Sequence, residues 1–291
     1  MVEIRPGRPE EIACEKGLWK LAFGDDDEYI DYFYRRGEDS QVLVLLEDGV
    51  VRTMVALFPV ELSLPGGGKA SSSYIYALAT HPEARKKGFG RSILRYVDFY
   101  LQEHGRDCVT IVPAEASLHK FFETVDFSEC FSTRKMELLR PMIGAPAPGD
   151  RLEPCAPADY EALREALLAG TFHVSYGERL ITYQQGLSQM ARGDLYRLTV
   201  DGVEGVAAAE HLDEESIMVK ELVIPTAQMR GAMALLAQRL PARRYHLRTP
   251  PFWDGVSGSY LQSFAMIKWF DKDMGRAWRE TRRGYMGLGF D

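Results

Sequence analysis

The order of apolar and polar positions along the chain alternates between strand and helix patterns. Asp26 to Arg36 puts Ile30, Phe33 and Tyr34 on one face, a spacing that predicts a helix, and the acidic run Asp25-Asp26-Asp27-Glu28 suits its N-terminus. Gln41 to Leu46 is an apolar, β-rich run. Asp48-Gly49 is a hairpin signal, and Val50 to Val60 reads as the returning strand. Gly66-Gly67-Gly68 marks another turn before a strand over Ser72 to Thr80, closed by His81-Pro82. Gly90 to Leu101 predicts a helix with Ile93, Leu94, Val97 and Leu101 on one face. A short strand (Val109 to Val112), a short helix (Ser117 to Thr124) and a strand (Phe131 to Leu139) follow. This order predicts an α/β (α+β) fold: a mixed, mainly antiparallel twisted sheet flanked by helices.

Pro141, Pro146, Pro148, Pro154 and Pro157 then interrupt the pattern. Proline fixes φ and removes a donor, so no helix or central strand runs through them. The expected division is a first domain over 1–140, a Pro-rich linker over 141–158 and a second domain over 159–291. The second half partly repeats the first. Helices over Asp159 to Leu168 and Glu178 to Ala191 precede strands Leu195 to Val200 and Val203 to Leu212, joined by Asp201-Gly202. A strand over Ile217 to Ile224 ends at Pro225, a helix covers Ala227 to Leu240, and a strand covers Tyr245 to Arg248. Strand, Asp-Gly, strand, strand ending in proline, helix, strand occurs twice, which reads as a degenerate internal duplication.

Composition adds exclusions. Of 291 residues, 46% are hydrophobic and 26% charged, with a net charge of -7. These are globular values, and the acidic balance argues against nucleic acid as the main partner. No apolar stretch is long enough for a membrane span, and the first residues lack a secretory core. Cys14, Cys108, Cys130 and Cys155 lie far apart with no C-x-x-C pair, and His173, His211 and His246 show no ligand spacing, so no metal is expected. The expected location is the cytoplasm, with reduced thiols.

The chemistry concentrates in Tyr74 to Leu94, Y-I-Y-A-L-A-T-H-P-E-A-R-K-K-G-F-G-R-S-I-L. A strand ends at a proline, and a basic loop with Gly88 and Gly90 opens a helix. The first amides of a helix lack intrahelical partners and lie at the positive end of its dipole. Glycines let an anion approach, and Arg85, Lys86, Lys87 and Arg91 add charge, a combination suited to a pyrophosphate. Ile93 stands where a dinucleotide loop needs its third glycine, and the triphosphate pattern G-x-x-x-x-G-K-[ST] is missing.

Arg85-Lys86-Lys87-Gly88-Phe89-Gly90, after Ala79-Thr80-His81-Pro82 and before Ser92-Ile93-Leu94, resembles the acyl-CoA loop of the GNAT (Gcn5-related) N-acetyltransferases. Phe121-Phe122-Glu123-Thr124-Val125-Asp126-Phe127 is similar to the family's L-Y-E-K-L-G-F. The runs Tyr74 to Thr80 and Pro113 to Leu118 look closest to the Eis-like branch, which carries a second, degenerate GNAT-like domain. The resemblance implies a GNAT fold and acetyl-CoA as cosubstrate, with no metal. It implies that CoA is held by Leu78, Ala79, Thr80, Arg85, Lys86, Lys87, Gly88, Phe89, Gly90, Arg91 and Ser92, with the Leu78 amide as an oxyanion donor. The partners implied are acetyl-CoA and a primary amine acceptor, small-molecule or peptide, attacked directly; a homo-oligomer is left open.

The chain departs from the family at Phe122, where the family places its acid tyrosine. Three residues are candidates for proton transfer. His119 stands one helical turn before Phe122 and is otherwise a helix-face histidine. Glu115 stands where the family often has an asparagine and is otherwise a solvated loop residue. The carboxylate of Asp291 is a candidate because the Eis-like branch brings its terminal carboxylate to the acetylation site. Trp19, Tyr29, Tyr32, Phe33 and Tyr34 line an acceptor pocket or pack the core. Three functions remain open on the sequence: an N-acetyltransferase, an acyl-CoA-binding sensor or scaffold that has lost catalysis, and another phosphate-binding enzyme. Gly231, after Pro225, lacks the arginine and second glycine of the loop, so no CoA site is expected in the second domain.

Overall fold

Apolar runs pair first, and a tight turn sets their register. In the computed structural model, which describes residues 1–37, 40–255, 257–279 and 283–290, β1 (Val2–Pro6) and β3 (Val50–Ser63) flank β2 (Gln41–Glu47), both antiparallel to it. The β2–β3 turn needs positive φ at both central residues; Asp48 and Gly49 supply 52° and 79°. Before β2 lie α1 (Ile12–Phe23) and α2 (Asp27–Arg36). Asp26 caps α2 by accepting the Tyr29 N–H at 2.8 Å. Next, β4 (Lys69–Thr80) leads through α3 (Phe89–Glu103) to β5 (Cys108–Ile111), parallel to β4. The apolar face of α3 packs on Leu43, Val55, Ile75 and Val109, and α4 (Ala116–Glu123) adds Phe122 to the same core.

The remaining elements are β6 (Ser128–Leu139), β7 (Arg151–Pro154), α5 (Pro157–Leu168), β8 (His173–Ser175), α6 (Gly177–Met190), β9 (Asp194–Val200), β10 (Val203–His211), β11 (Ser216–Val223), α7 (Met229–Arg239), β12 (Arg244–Thr249), β13 (Tyr260–Trp269) and α8 (Lys272–Arg279). Two compact units result: residues 1–62, 69–129 and 265–281, and residues 63–68, 130–264 and 282–291. In the first the strand order is β1-β2-β3-β4-β5-β13, and in the second β6-β12-β11-β10-β9-β7. Both contain antiparallel strands around one parallel pair, β4–β5 or β11–β12. Mixed sheets flanked by helices are thus present in both halves.

These units divide the chain differently from the expected 1–140 and 159–291. β6 follows α4 in sequence but pairs with β12, Arg134↔Thr249 through Leu139↔Arg244, in the second unit. β13 comes from the late sequence but pairs with β5, Met266↔Ile111 through Trp269↔Cys108, in the first. The proline-rich segment lies inside the second unit, where β7 pairs with β9. Pro154 sits at the end of that strand. Among the described residues, no helix is long and apolar enough to cross a membrane, and no group of three or more His, Cys, Asp or Glu is placed to hold a metal.

Candidate active site

The site is built where β4 leaves β5. Their register runs from Ser72↔Cys108 to Ile75↔Ile111 and then stops, while β4 continues to Thr80. Tyr76 is the first β4 residue beyond the shared ladder. Ala77 takes φ 48°, a value an alanine rarely adopts, and it breaks the strand's alternation at this point. The backbone groups of Leu78, Ala79 and Thr80 follow. A parted parallel pair with a kinked strand leaves main-chain donors and acceptors for an extended ligand to pair with.

The chain then turns through Pro82–Ala84 and reaches the α3 N-terminus. Lys86 and Gly88 have φ 67° and 82°, while Lys87 between them does not, an alternation that points successive amides toward one side. No side chain caps α3, and its first backbone bond is Ser92 N–H to Gly88 O at 3.0 Å. The amides of Phe89, Gly90 and Arg91 therefore precede the intrahelical ladder. A Cβ on Gly90 would meet Phe121 Cζ and Thr80 Oγ1 only at 3.9 Å each. The glycine keeps the mouth of the loop open.

The four cations of the loop differ in their engagement. Arg85 and Lys86 are exposed and make no ion pair among the described residues. Lys87 Nζ contacts both oxygens of Glu47 at 2.9 Å. Arg91 donates to the Thr124 carbonyl and hydroxyl, each at 3.0 Å, tying α3 to the end of α4. Glu47 and Thr53, which bonds Thr80 Oγ1 at 3.2 Å, belong to no motif and come to the site through sheet pairing.

The candidates for proton transfer are not brought together. Phe122 is 3% exposed in the α3 core against Phe127, so this side chain offers no polar atom. His119 Nδ1 makes a short contact with Glu129 Oε1. Glu115 is exposed at the N-cap of α4, where it accepts the Ser117 hydroxyl at 3.2 Å. Asp291 lies outside the described residues. The segment before it, Gly284 to Phe290, is buried in the second unit: Tyr285 N–H bonds Phe172 O at 2.9 Å, and Tyr176 donates to Met286 O at 2.9 Å. Burial pushes the Cys108 thiol up to about 12, which leaves it protonated.

Aromatic side chains meet on the α1–α2 side of β4. Trp19, Phe33 and Phe58 are 1%, 1% and 0% exposed. Their rings surround Tyr76, with centroids 5.4 Å away for Trp19 and Phe58 and 6.2 Å for Phe33. Trp19 Nε1 donates to Asp25 at 2.7 Å, so one member of the acidic run orders this cluster. The Tyr29 and Tyr76 hydroxyls are in short hydrogen-bond contact. Tyr29 and Phe33 therefore share the cluster, while Tyr34 bonds Glu15 instead, at 2.9 Å.

A parallel pair that parts before a loop and an uncapped helix leaves main-chain donors for an extended, anionic ligand. Residues 3–127, the stretch that carries the parted pair, the loop and α3, match the acetyltransferase (GNAT) domain family model. The fold is shared across most of the chain by a probable N-acyltransferase from Enterococcus faecalis (11% identity, 92% of this chain and 73% of that one, TM-score 0.72). Eis1 from Mycobacterium abscessus shares it too (13%, 96% and 76%, 0.67). A tandem GNAT protein of the clavulanic acid pathway covers 92% of this chain and 98% of its own, at 13% identity and TM-score 0.60. No curated protein sequence matches.

Proposed function

We propose that the protein transfers an acetyl group from acetyl-CoA to a primary amine by direct attack in a ternary complex. The observation that carries this reading is the passage from Ile75 to Ser92: a parted strand, alternating positive φ, and free helix amides in one run. Acetyl-CoA supplies a thioester whose leaving thiol has a pKa of about 8.5. The amides at Lys86 to Ser92 and the free cations Arg85 and Lys86 would take the pyrophosphate. The edge at Leu78, Ala79 and Thr80 would hold the pantetheine arm, and the Leu78 N–H would face the carbonyl oxygen. Transfer through Cys108, Cys130 or Cys155 is disfavoured, because these three thiols are buried.

One observation favours a second reading, an acyl-CoA-binding sensor without turnover: the buried Phe122 ring has no proton to give. Calorimetric titration with acetyl-CoA, followed by thiol release in the presence of amines, separates the two. Binding with amine-dependent release is the expected result. Binding without release selects the sensor. A larger rise in Tm with ATP or NAD than with acetyl-CoA removes both.

A further inference from the structure

We propose that Glu47 is a positioning residue that holds the Arg85 to Gly90 loop in its ligand-ready shape through Lys87, an inference that rests on the acetyl-CoA reading above. The loop has little else to hold it. Among the described residues, the amides of Lys86, Lys87 and Gly88 donate to no backbone carbonyl. Lys86 has φ 67°, a left-handed value that costs a lysine more than a glycine. Among the described residues, the side-chain hydrogen bonds of residues 86–88 are those of the Lys87 ammonium, to both oxygens of Glu47 at 2.9 Å. Lys87 Nζ also stands 5.7 Å from the centroid of the Phe89 ring, which is buried in the α3 core.

Glu47 is a fixed point. It ends the middle strand β2, in register with Val2 on one side and Val50 on the other. Arg52 Nε stands 3.7 Å from Glu47 Oε2, and the Arg52 carbonyl accepts the His81 N–H at 2.8 Å just past the end of β4. The sheet therefore holds the carboxylate, and the carboxylate holds the loop. Because Lys87 stands between the two left-handed residues Lys86 and Gly88, fixing its side chain restrains the peptides on either side. A loop that visits its binding shape only part of the time has its ligand affinity reduced by that fraction. A partly exposed ion pair adds little to global stability. Loops open locally at small free energies, however, so the same contact is large enough to govern this one. The Lys87 charge is then neutralised by Glu47 and not offered to a phosphate, and the sign of the effect separates the two roles.

The test uses the full chain. The acetyl-CoA Kd is measured by calorimetry for Glu47→Gln, Lys87→Met, the double variant and Lys87→Arg, and trypsin cleavage after Arg85 and Lys86 is timed without ligand. Glu47→Gln is expected to raise the Kd about threefold to fivefold, the reach of an ion pair of this exposure, with Tm nearly unchanged. Cleavage after Arg85 and Lys86 is expected to quicken by a similar factor, because it follows the open population. Lys87→Met is expected to match Glu47→Gln, and the double variant to add nothing to the larger single effect. Lys87→Arg keeps the charge and is expected to stay within about twofold of the unmodified Kd. A Kd that is unchanged or lower in Glu47→Gln, or cleavage that does not quicken, overturns the inference alone; a lower Kd would mean that Glu47 repels the phosphates. Additive losses in the double variant, or a rise in Glu47→Gln that Lys87→Met does not share, also overturn it. No acetyl-CoA binding by the unmodified protein overturns the acetyl-CoA reading and this inference together.

Discussion

Each sheet contains a parallel strand pair that parts, a break in the strand's stride, a proline and a helix, yet the space is filled in opposite ways. In the first unit the last shared pair is Ile75↔Ile111, and Tyr76 and Ala77 come next. In the second it is Val219↔Leu247, and Lys220 and Glu221 come next. β11 also loses register there: Ala208 faces Glu221 and Ala209 faces Val219, leaving Lys220 as the extra residue. The second unit fills this place with its own charges. Lys220 pairs with Glu210 at 2.9 Å, and Glu221 receives Arg164 Nε at 2.9 Å and the Tyr160 hydroxyl at 2.9 Å. The first unit holds hydroxyls, an alanine and exposed loop amides. The same place in the fold therefore holds an internal ion pair in one unit and precedes exposed loop amides in the other.

The largest expected effect breaks that internal filling. Arg164 and Glu221 are both fully buried, and Arg164 also donates to Val174 O at 2.8 Å and Met286 O at 3.4 Å. Glu221→Gln removes the fully buried counter-charge of this guanidinium and leaves it only Glu165 Oε1 at 3.2 Å as an ion-pair partner among the described residues, which costs up to about 3–5 kcal/mol. Urea unfolding checks this, and a loss below about 1 kcal/mol would show that the ion pair contributes little beyond a neutral hydrogen bond.

The two glycines that follow the prolines sharpen the comparison. Gly90→Trp adds a ring over exposed amides in the first unit, where a Cβ meets nothing closer than 3.9 Å. Acetyl-CoA affinity is expected to fall about a hundredfold or more, equivalent to about 2.7 kcal/mol, with Tm nearly unchanged. A folded variant that still binds normally would displace the ligand from this loop. Gly231 is different: a Cβ there would lie 2.4 Å from Val200 Cγ1. Gly231→Ala is expected to destabilise by about 1–3 kcal/mol through overpacking, with no change in acetyl-CoA affinity. If Gly231→Ala weakened acetyl-CoA binding at full stability, the second unit would hold a ligand site after all.

Local signals made much of this visible in the sequence. Apolar runs, Asp-Gly turns and the α3 face are determined within a dozen residues, so β2, β3, α3, β9 and β10 fall close to their expected places. The Arg85 to Gly90 loop was legible for the same reason: its glycines and cations are contiguous. What was not legible depends on distant partners. β13, at Tyr260 to Trp269, has an apolar stretch of only four residues, Phe264 to Ile267, preceded by Leu261-Gln262-Ser263 and followed by Lys268, and its partner β5 lies some 150 residues upstream. β6 was legible as a strand but not as a member of the second sheet, because strand pattern carries no address. Lys87 as a partner of Glu47, and Tyr76 as a partner of Tyr29, are likewise products of pairing between elements.

The smallest effect concerns two of the buried glutamates, Glu15 and Glu221, whose partners differ. Glu221 has a guanidinium, whereas Glu15 on α1, 2% exposed, receives only the Tyr34 hydroxyl, at 2.9 Å, among the described residues. Burial raises the Glu15 pKa above the ordinary carboxyl range, the Tyr34 bond opposes that shift, and Glu11 and Arg5 act on it with opposite signs. The native state then binds this proton more tightly than the unfolded chain does. The stability from Glu15 is full below the unfolded value of about 4.3 and is lost as pH rises through the raised native value. Glu15→Gln keeps an acceptor for Tyr34 and cannot ionise. Its stability relative to the unmodified protein is expected to be lowest at about pH 4, to grow as pH rises, and to level off once native Glu15 is charged. Thermal unfolding across pH 4 to 8 reads this difference. A difference that shrinks with rising pH would mean that the Glu15 carboxylate is favoured by its surroundings, and the contrast with Glu221 would vanish.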